Sequence, residues 1–519
     1  MTLRQHQIAL VGMGLCLFVY STFALFKPVH IDEANFLALA SGDLWSPHDV
    51  LINWQGRTQR AFDVLSNPPG IAWLLHPFRD APIWMLRSWM MLWSLLSLWG
   101  FWHLALSCLE KPAGFVLFLA TSPVFALSHG AFLPDMPLLA CTVWGWVLLL
   151  KNDRLWIGGI LIGAGCLFRY SALVPIGSAV FWIAWQRRPI IDIVKIAAAV
   201  SSIPLLLCLH DLQAYGSVHF WHMTSFQGVE KSLSQRVDQI LAVFAQGASG
   251  VFLALLWRTW RSNQIAYTVA ILGLILVTTD LSIWSGLFVS MGVVSFFFVP
   301  QDKRAQWAGA CLLASVLFLC LLRFTATRYW MPFLPFFVMY LSSILSHRYA
   351  LVGFACSGGL SMLLCLDDWE FSRGTHRIAE EIAERNLTGS RGIAGHWGLQ
   401  WHLEQQGFVP VEDDSPVTYD HVVHSASAWP QEGSAGRYEL IERWIHPNAI
   451  WGPSVYAQPS KAHFHANMIA PDLNTYAAWG LYTEPFDAIT LWQKCSSCSG
   501  CVWDMQYRQP TCANDSLAE

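Results

Sequence analysis

The chain has 519 residues, 54% of them apolar and only 13% charged, with a formal net charge of −4. Soluble domains carry about 25% charged residues, so this composition excludes an ordinary soluble enzyme and predicts a polytopic α-helical membrane protein. The small net charge and the lack of any basic tract exclude nucleic acid as a partner.

In chain order, the first apolar run is Ile8 to Phe26, close to the roughly 20 residues that span a bilayer. Only Arg4 precedes it and no small-residue cleavage site follows, which predicts a retained first helix. The segment VHIDEANF comes next and puts Asp32-Glu33 just past the point where that helix leaves the membrane. An outer loop is predicted over 27–81. Its apolar residues Phe36-Leu37, Phe62 and Val64-Leu65 suggest helices lying in the membrane interface, and Asn67-Pro68-Pro69-Gly70 reads as a rigid structural turn. Further spans are predicted at 82–107, 112–128, 132–150, 155–170, 172–186, 190–210, 239–257, 264–280, 281–299, 305–322, 329–346 and 349–366, about thirteen in all. The 28 Trp cluster near their ends, as an aromatic belt does.

Basic residues set the orientation. Lys111, Lys151 with Arg154, Arg187-Arg188, Arg258 with Arg261, Lys303-Arg304 and Arg348 all fall in alternate turns, which are therefore inside. Asp32, Glu33, the 27–81 loop, Asp135 and a polar tail over 367–519 then lie outside. The tail is predicted to be a small soluble α/β domain following a membrane domain over 1–366, with a helix over Trp397 to Gln406 stopped by Gly407 and a strand over Tyr419 to Val423. Cys495, Cys498, Cys501 and Cys512 end the tail as C-x2-C-x2-C-x10-C, which fits disulfides in an oxidising compartment or a zinc site, with disulfides preferred. The other cysteines sit in the apolar part as small hydrophobes.

Two acidic positions at one membrane face suit general-base chemistry on a lipid-borne substrate: Asp32-Glu33, and Asp135 within Pro134-Asp135-Met136-Pro137. A solvated loop start is the alternative for the first and a helix N-cap for the second. Arg57, Arg60, Arg169, Arg323 and Arg328 stand on the side where positive charge is normally scarce. A lipid phosphate would account for them, because guanidinium presents a forked donor set; snorkelling to headgroups is the alternative. Arg328 is followed by Tyr329, and Pro332 and Pro335 predict an irregular helix start there. No ligand spacing demands a cofactor, while His30, Asp32, Glu33 and Asp135 leave a divalent cation open.

The ordered set HIDEANF, NPPG, PDMP and TRYWMPFLP resembles the polytopic glycosyltransferases that use polyprenyl-phosphate sugars, among them the protein O-mannosyltransferases and the aminoarabinose transferases of lipid A. AGHWGLQWHLEQQG and WGLYTEPF in the tail resemble the outer domain of bacterial members. The resemblance implies inverting transfer of a monosaccharide from a polyprenyl-phosphate donor to a lipid, glycan or protein at the outer face of a bacterial cytoplasmic membrane. Asp32 would be the base, Glu33 or Asp135 would position it or the acceptor, and Arg57, Arg60, Arg328 and Tyr329 would hold the departing phosphate. Arg169 is a further phosphate-binding candidate by virtue of its side of the membrane. Asn67 departs from the Lys that aminoarabinose transferases tend to carry before the double proline, which argues against assuming the same donor. The rival expectations are a transporter or flippase, disfavoured by the absence of internal repeats, and an oligosaccharide ligase with a diphosphate-linked donor.

Overall fold

A computed structural model describes residues 3–224 and 302–512 apart from short intervals, the longest being 426–437 and 466–478, together with Ser232, Arg236 and Ile240. The spans expected at 239–257, Ile240 apart, at 264–280 and at 281–299, and Arg323, lie outside the described residues.

Among the described residues, five helices are long and apolar enough to cross a membrane. They are α1 (Leu3–Leu25), α5 (Ile83–Cys108), α11 (Ile190–Tyr215), α13 (Lys303–Leu321) and α15 (His347–Glu384). Their large apolar side chains include many exposed ones, such as Val11 and Phe18 on α1, Leu205 on α11 and Leu317 on α13. A helix apolar on its outward face requires lipid as its solvent. Between them run the shorter α6 (Pro112–Ala120), α7 (Pro123–Ser128), α8 (Asp135–Lys151), α9 (Leu155–Ala164), α10 (Leu173–Trp185), α12 (His219–Thr224) and α14 (Leu334–Ser342). Aromatic side chains fill the centre, with the Trp307 ring 4.5 Å from Trp146 and 4.7 Å from Trp182.

The single span expected at 112–128 is broken between α6 and α7. Pro123 has no N–H to continue the first helix, and Ser122 caps the second through Phe125 N. The carbonyl of Thr121, freed by the break, accepts the hydroxyls of Ser357 and Ser361 on α15, both at 2.7 Å. Backbone at membrane depth has to find such partners inside the protein.

The 27–81 loop is structured. It holds α2 (Glu33–Ser41), a hairpin of β1 (Leu51–Asn53) and β2 (Thr58–Arg60), α3 (Ala61–Val64) and α4 (Gly70–Leu75). Gly70, the end of the Asn67-Pro68-Pro69-Gly70 turn, packs so closely that an added Cβ would stand 2.3 Å from the Leu167 carbonyl oxygen.

The boundary expected after Leu366 lies inside α15, which continues unbroken to Glu384. Its second half is amphipathic and surface-charged, with pairs such as His376–Glu380 at 3.3 Å. Ile378 and Ile382 from this half pack with Leu399 and Leu403 of α16 (Trp397–Glu404) on a five-stranded sheet. Its order is β4-β3-β5-β9-β6, from β3 (Arg391–Ala394), β4 (Val409–Pro410), β5 (His421–Ser425), β6 (Tyr438–His446) and β9 (Asp487–Lys494). The β3 pairings are parallel and those of β9 antiparallel. A short ladder joins β7 (Gly452–Ser454) to β8 (Gly480–Tyr482), and a terminal hairpin joins β10 (Cys501–Asp504) to β11 (Gln509–Cys512). Cys495 is disulfide-bonded, and Cys501 faces Cys512 across the terminal hairpin.

Candidate functional site

The sharp turn before α2 decides where the two adjacent carboxylates go. Ile31 has φ +48°, a left-handed conformation that a β-branched residue adopts only under strain, of order 1–3 kcal/mol. Asp32 and Glu33 then point to different partners. Asp32 forms an ion pair with Arg328 and makes no side-chain capping bond to α2. Glu33 turns inward, where both its oxygens meet Arg87 at 2.9 Å and also accept the backbone N–H of Phe132 at 3.2 Å and of His30 at 3.1 Å.

Arg328 sits in a seven-residue 3₁₀ turn, Thr327–Phe333, directly before α14. Such turns rarely run beyond 3–4 residues, and Pro332 and Pro335 explain this one, since neither supplies an N–H for an α-helical bond. Asp135 is the first residue of α8 and fully buried. Pro137 is tolerated there because first-turn N–H groups have no helical partner in any case. Arg169 lies in extended backbone between two 3₁₀ turns.

These four charges meet. Arg169 Nη2 is 3.3 and 3.4 Å from the two Asp135 carboxylate oxygens, and Arg328 Nε is 4.0 Å from Asp135 Oδ2. The Arg169 guanidinium lies 4.0 Å over the Tyr329 ring, with that of Arg328 at 6.0 Å. Asp32, Asp135, Arg169 and Arg328 thus make a charge-balanced quartet of residues far apart in sequence. Arg328 Nε and Nη1 and Arg169 Nε are buried and have no hydrogen-bond acceptor. Buried guanidinium N–H groups left so are expensive; they form a ready site for an anion beside the Asp32 carboxylate.

Arg57 and Arg60 stand elsewhere. Both are exposed on the β1–β2 hairpin, where Arg60 pairs with Asp63 at 3.2 Å and Asp49 at 3.8 Å. Of the eight predicted site residues, Asp32, Asp135, Arg169, Arg328 and Tyr329 converge, Glu33 is held beside them in its own ion pair, and Arg57 and Arg60 are not brought in.

Arg87 was missed by sequence reasoning, although a lone charge inside an apolar span is a signal in itself. Besides Glu33 it donates to the carbonyls of Lys27 (2.8 Å), Pro28 (3.0 Å) and Gly130 (3.2 Å). It therefore ties the segment carrying Asp32 to the one leading into Asp135. Burial by itself would raise the Glu33 pKa; Arg87, with Lys27 assisting, brings it down to about 2.

A second buried cluster was also missed. Asp368 on α15 pairs with Lys27, and its Oδ1 accepts from His30 Nε2 (2.9 Å), His465 Nε2 (3.1 Å) and the Tyr456 hydroxyl (3.1 Å). The ligand atoms of His30, Asp368 and His465 lie within 4.8 Å of one another. A divalent ion there would face the Lys27 ammonium with a single carboxylate, so the arrangement suits a hydrogen-bonded lock better than a metal centre. The four residues that left a cation open divide likewise: Asp32, Glu33 and Asp135 meet guanidinium groups, and His30 meets Asp368.

The C-terminal part reaches this region through α16. His402 Nε2 donates to the Val29 carbonyl at 3.0 Å, and Gly398 lies so close that an added Cβ would be 2.7 Å from that same oxygen. Gly398→Ala should therefore push α16 off the segment preceding Asp32. Hydrogen exchange of residues 29–33 should rise and turnover should fall at least severalfold, while a variant exchanging like the native protein would remove this contact from the account.

The geometry defines an integral membrane protein with a buried, balanced acid–guanidinium site at the start of several helices. Residues 66–210 match the family model of the dolichyl-phosphate-mannose-protein mannosyltransferases, and over that stretch the resemblance to polyprenyl-phosphate-sugar glycosyltransferases is borne out. Two solved structures of ArnT from Cupriavidus metallidurans are similar, one in the apo state and one bound to undecaprenyl phosphate. Each is 16% identical with a TM-score of 0.43, covering 80% of this chain and 92% and 93% of the respective ArnT chains. A search of curated proteins found no match.

Proposed function

We propose that the protein is an inverting glycosyltransferase that moves a monosaccharide from a polyprenyl-phosphate donor to an acceptor hydroxyl at the outer face of a bacterial cytoplasmic membrane. The observation that carries the reading is the set of acceptor-less guanidinium N–H groups of Arg328 and Arg169 next to the Asp32 carboxylate. The family match over 66–210 supports a donor of this class.

In the reaction the donor phosphate engages the remaining Arg328 and Arg169 N–H groups, with the anomeric carbon towards Asp32. The acceptor oxygen bonds to that carbon from the side opposite the phosphate and gives its proton to Asp32. The bond from carbon to phosphate oxygen breaks and its electron pair leaves with the phosphate, which gains one negative charge. Asp32 loses one negative charge in the same step, so the site's net charge is unchanged. Arg328 and Arg169 stabilise the charge where it develops. Asp135 holds both guanidinium groups in place, Tyr329 supports Arg169, and Glu33 acts at one remove by anchoring the turn that aims Asp32. Arg57 and Arg60, exposed on the hairpin, would meet the lipid phosphate on its approach, Arg60 by leaving Asp63 and Asp49.

The same proposal includes the finer topology of about thirteen spans with the C-terminal part folded outside as a soluble α/β domain. The Cys495 disulfide supports an oxidising compartment for it. Direct in-line attack requires the product to carry the anomeric configuration opposite to the donor's. Product analysis by NMR after transfer from a polyprenyl-phosphate sugar of known configuration should show inversion, and retention would rule out the single-step mechanism.

A further inference from the structure

A cavity of about 270 Å³ opens between α2, the β1–β2 hairpin and α16. It is lined by Ile31, the residue before Asp32, by Trp397, Gln400, Trp401 and Glu404 of α16, and by Asn53 and Thr58 of the hairpin. It joins the outer loop to the C-terminal part at the root of the Asp32 turn.

We propose that this cavity binds a neutral saccharide unit of the acceptor, so that the acceptor is a glycan. The inference rests on the transfer reading above and deepens it. Three observations bear on it. Asn53 is 7% exposed, its Nδ2 donates to the Val411 carbonyl at 3.3 Å, and its Oδ1 has no partner. A buried amide oxygen without a donor is destabilising until a ligand hydroxyl supplies one.

Next, four non-glycine residues among those described have positive φ, and two of them, Ile31 (+48°) and Trp397 (+62°), are walls of this one cavity. Strain of this kind concentrates where side chains must be held for a ligand. Here it falls on two residues that line one cavity, one of them directly before Asp32.

The lining chemistry then selects the ligand. The indoles of Trp397 and Trp401 line the cavity together with Asn53, Thr58, Gln400 and Glu404, whose side chains carry donors and acceptors; Gln400 Nε2 donates to Glu404 Oε1 at 2.8 Å and its Oε1 meets His396 Nδ1 at 3.3 Å. A sugar ring presents a C–H face and a rim of hydroxyls, which matches both. No Lys or Arg lines the cavity among the described residues and Glu404 brings a carboxylate, so a phosphate-bearing headgroup is disfavoured. The volume falls just below the roughly 300–1,000 Å³ of pockets for drug-sized ligands, which suits a sugar unit better than a folded peptide loop.

The test measures binding by the full-length protein in nanodiscs to an array of neutral di- and trisaccharides built from glucose, galactose, mannose and N-acetylglucosamine. The same saccharides carrying a phosphate monoester and a Ser/Thr-rich peptide are the comparison arms. We expect at least one neutral saccharide to bind, and to do so at least tenfold more tightly than its phosphorylated form. Asn53→Ala should weaken that binding at least tenfold. So should Thr58→Trp, which fills the cavity from an exposed position and leaves the core untouched, whereas Asp32→Asn should bind as the native protein does. Binding of no neutral saccharide, preference for the phosphorylated or peptide probe, or native-like binding by both cavity variants would overturn the proposal. If Asp32→Asn still transfers sugar at the native rate while the cavity variants lose binding, the base assignment fails and the cavity assignment stands.

Discussion

Asp32→Asn should lower sugar transfer by about 10²–10⁴-fold, the range over which a positioned general base contributes, while leaving the protein folded and the donor lipid bound. The neutral amide keeps the shape of the side chain and one acceptor oxygen for Arg328, but it cannot take the acceptor's proton. Two features of the site favour this separation of effects. Arg328 meets Asp32 through Nη2 and keeps Nε and Nη1 for another anion, so donor binding does not require the carboxylate to be displaced. The Asp32 side chain is not a helix cap, so its replacement removes no capping bond from α2. Initial rates measured with a radiolabelled polyprenyl-phosphate sugar, beside thermal unfolding of the same preparation, check both halves. Transfer within about threefold of native would take the base role from Asp32.

Arg87→Met should destabilise the protein by about 3–5 kcal/mol, the typical result of removing one partner from a buried ion pair. Arg87 is completely buried and Glu33 almost so, and each satisfies the other through two contacts of 2.9 Å. Removing the guanidinium leaves a carboxylate enclosed with two backbone N–H groups as its remaining partners, and frees the Lys27, Pro28 and Gly130 carbonyls as well. The double variant Arg87→Met with Glu33→Met should recover a large part of the loss, because neither charge is then stranded. The pH dependence has a definite sign. The folded Glu33 pKa is depressed from 4.5 to about 2, so the pair's contribution is fully present above about pH 4.5 and is lost as pH falls through about 2. Unfolding in detergent as a function of temperature and pH measures all three effects; a single variant as stable as the native protein would show that the pair holds nothing together.

Much of this was legible in the sequence, and the reasons it was differ by feature. Spans such as 82–107 and 305–322 correspond to α5 and α13 because long, predominantly apolar runs have few other options in a chain of this composition. Asp32, Asp135 and Arg328 were conspicuous because each is a charge at the end of an apolar run flanked by residues that disturb a helix. Their mutual contact was not legible, since it depends on the strained φ of Ile31 and on a 3₁₀ turn that sequence periodicity does not encode. The break between α6 and α7 was passed over because hydropathy is indifferent to a lost N–H, even though Pro123 announces one. The expected boundary after Leu366 followed the change in composition, whereas the helix continues because its polar half packs on the sheet through Ile378 and Ile382. Arg57 and Arg60 looked equivalent to Arg169 when judged by membrane side alone, and only the hairpin separates them from it.

The central claim is that Arg328 and Arg169 hold the phosphate of a polyprenyl-phosphate sugar beside Asp32. Mass spectrometry of the lipids retained by the purified native protein and by Arg328→Ala and Arg169→Ala variants tests it most directly. The native protein should retain a polyprenyl-phosphate species, and both variants, recovered folded, should lose most of it. Variants that retain that lipid in native amounts would contradict the claim, as would a native protein that binds no polyprenyl phosphate when the lipid is supplied in excess.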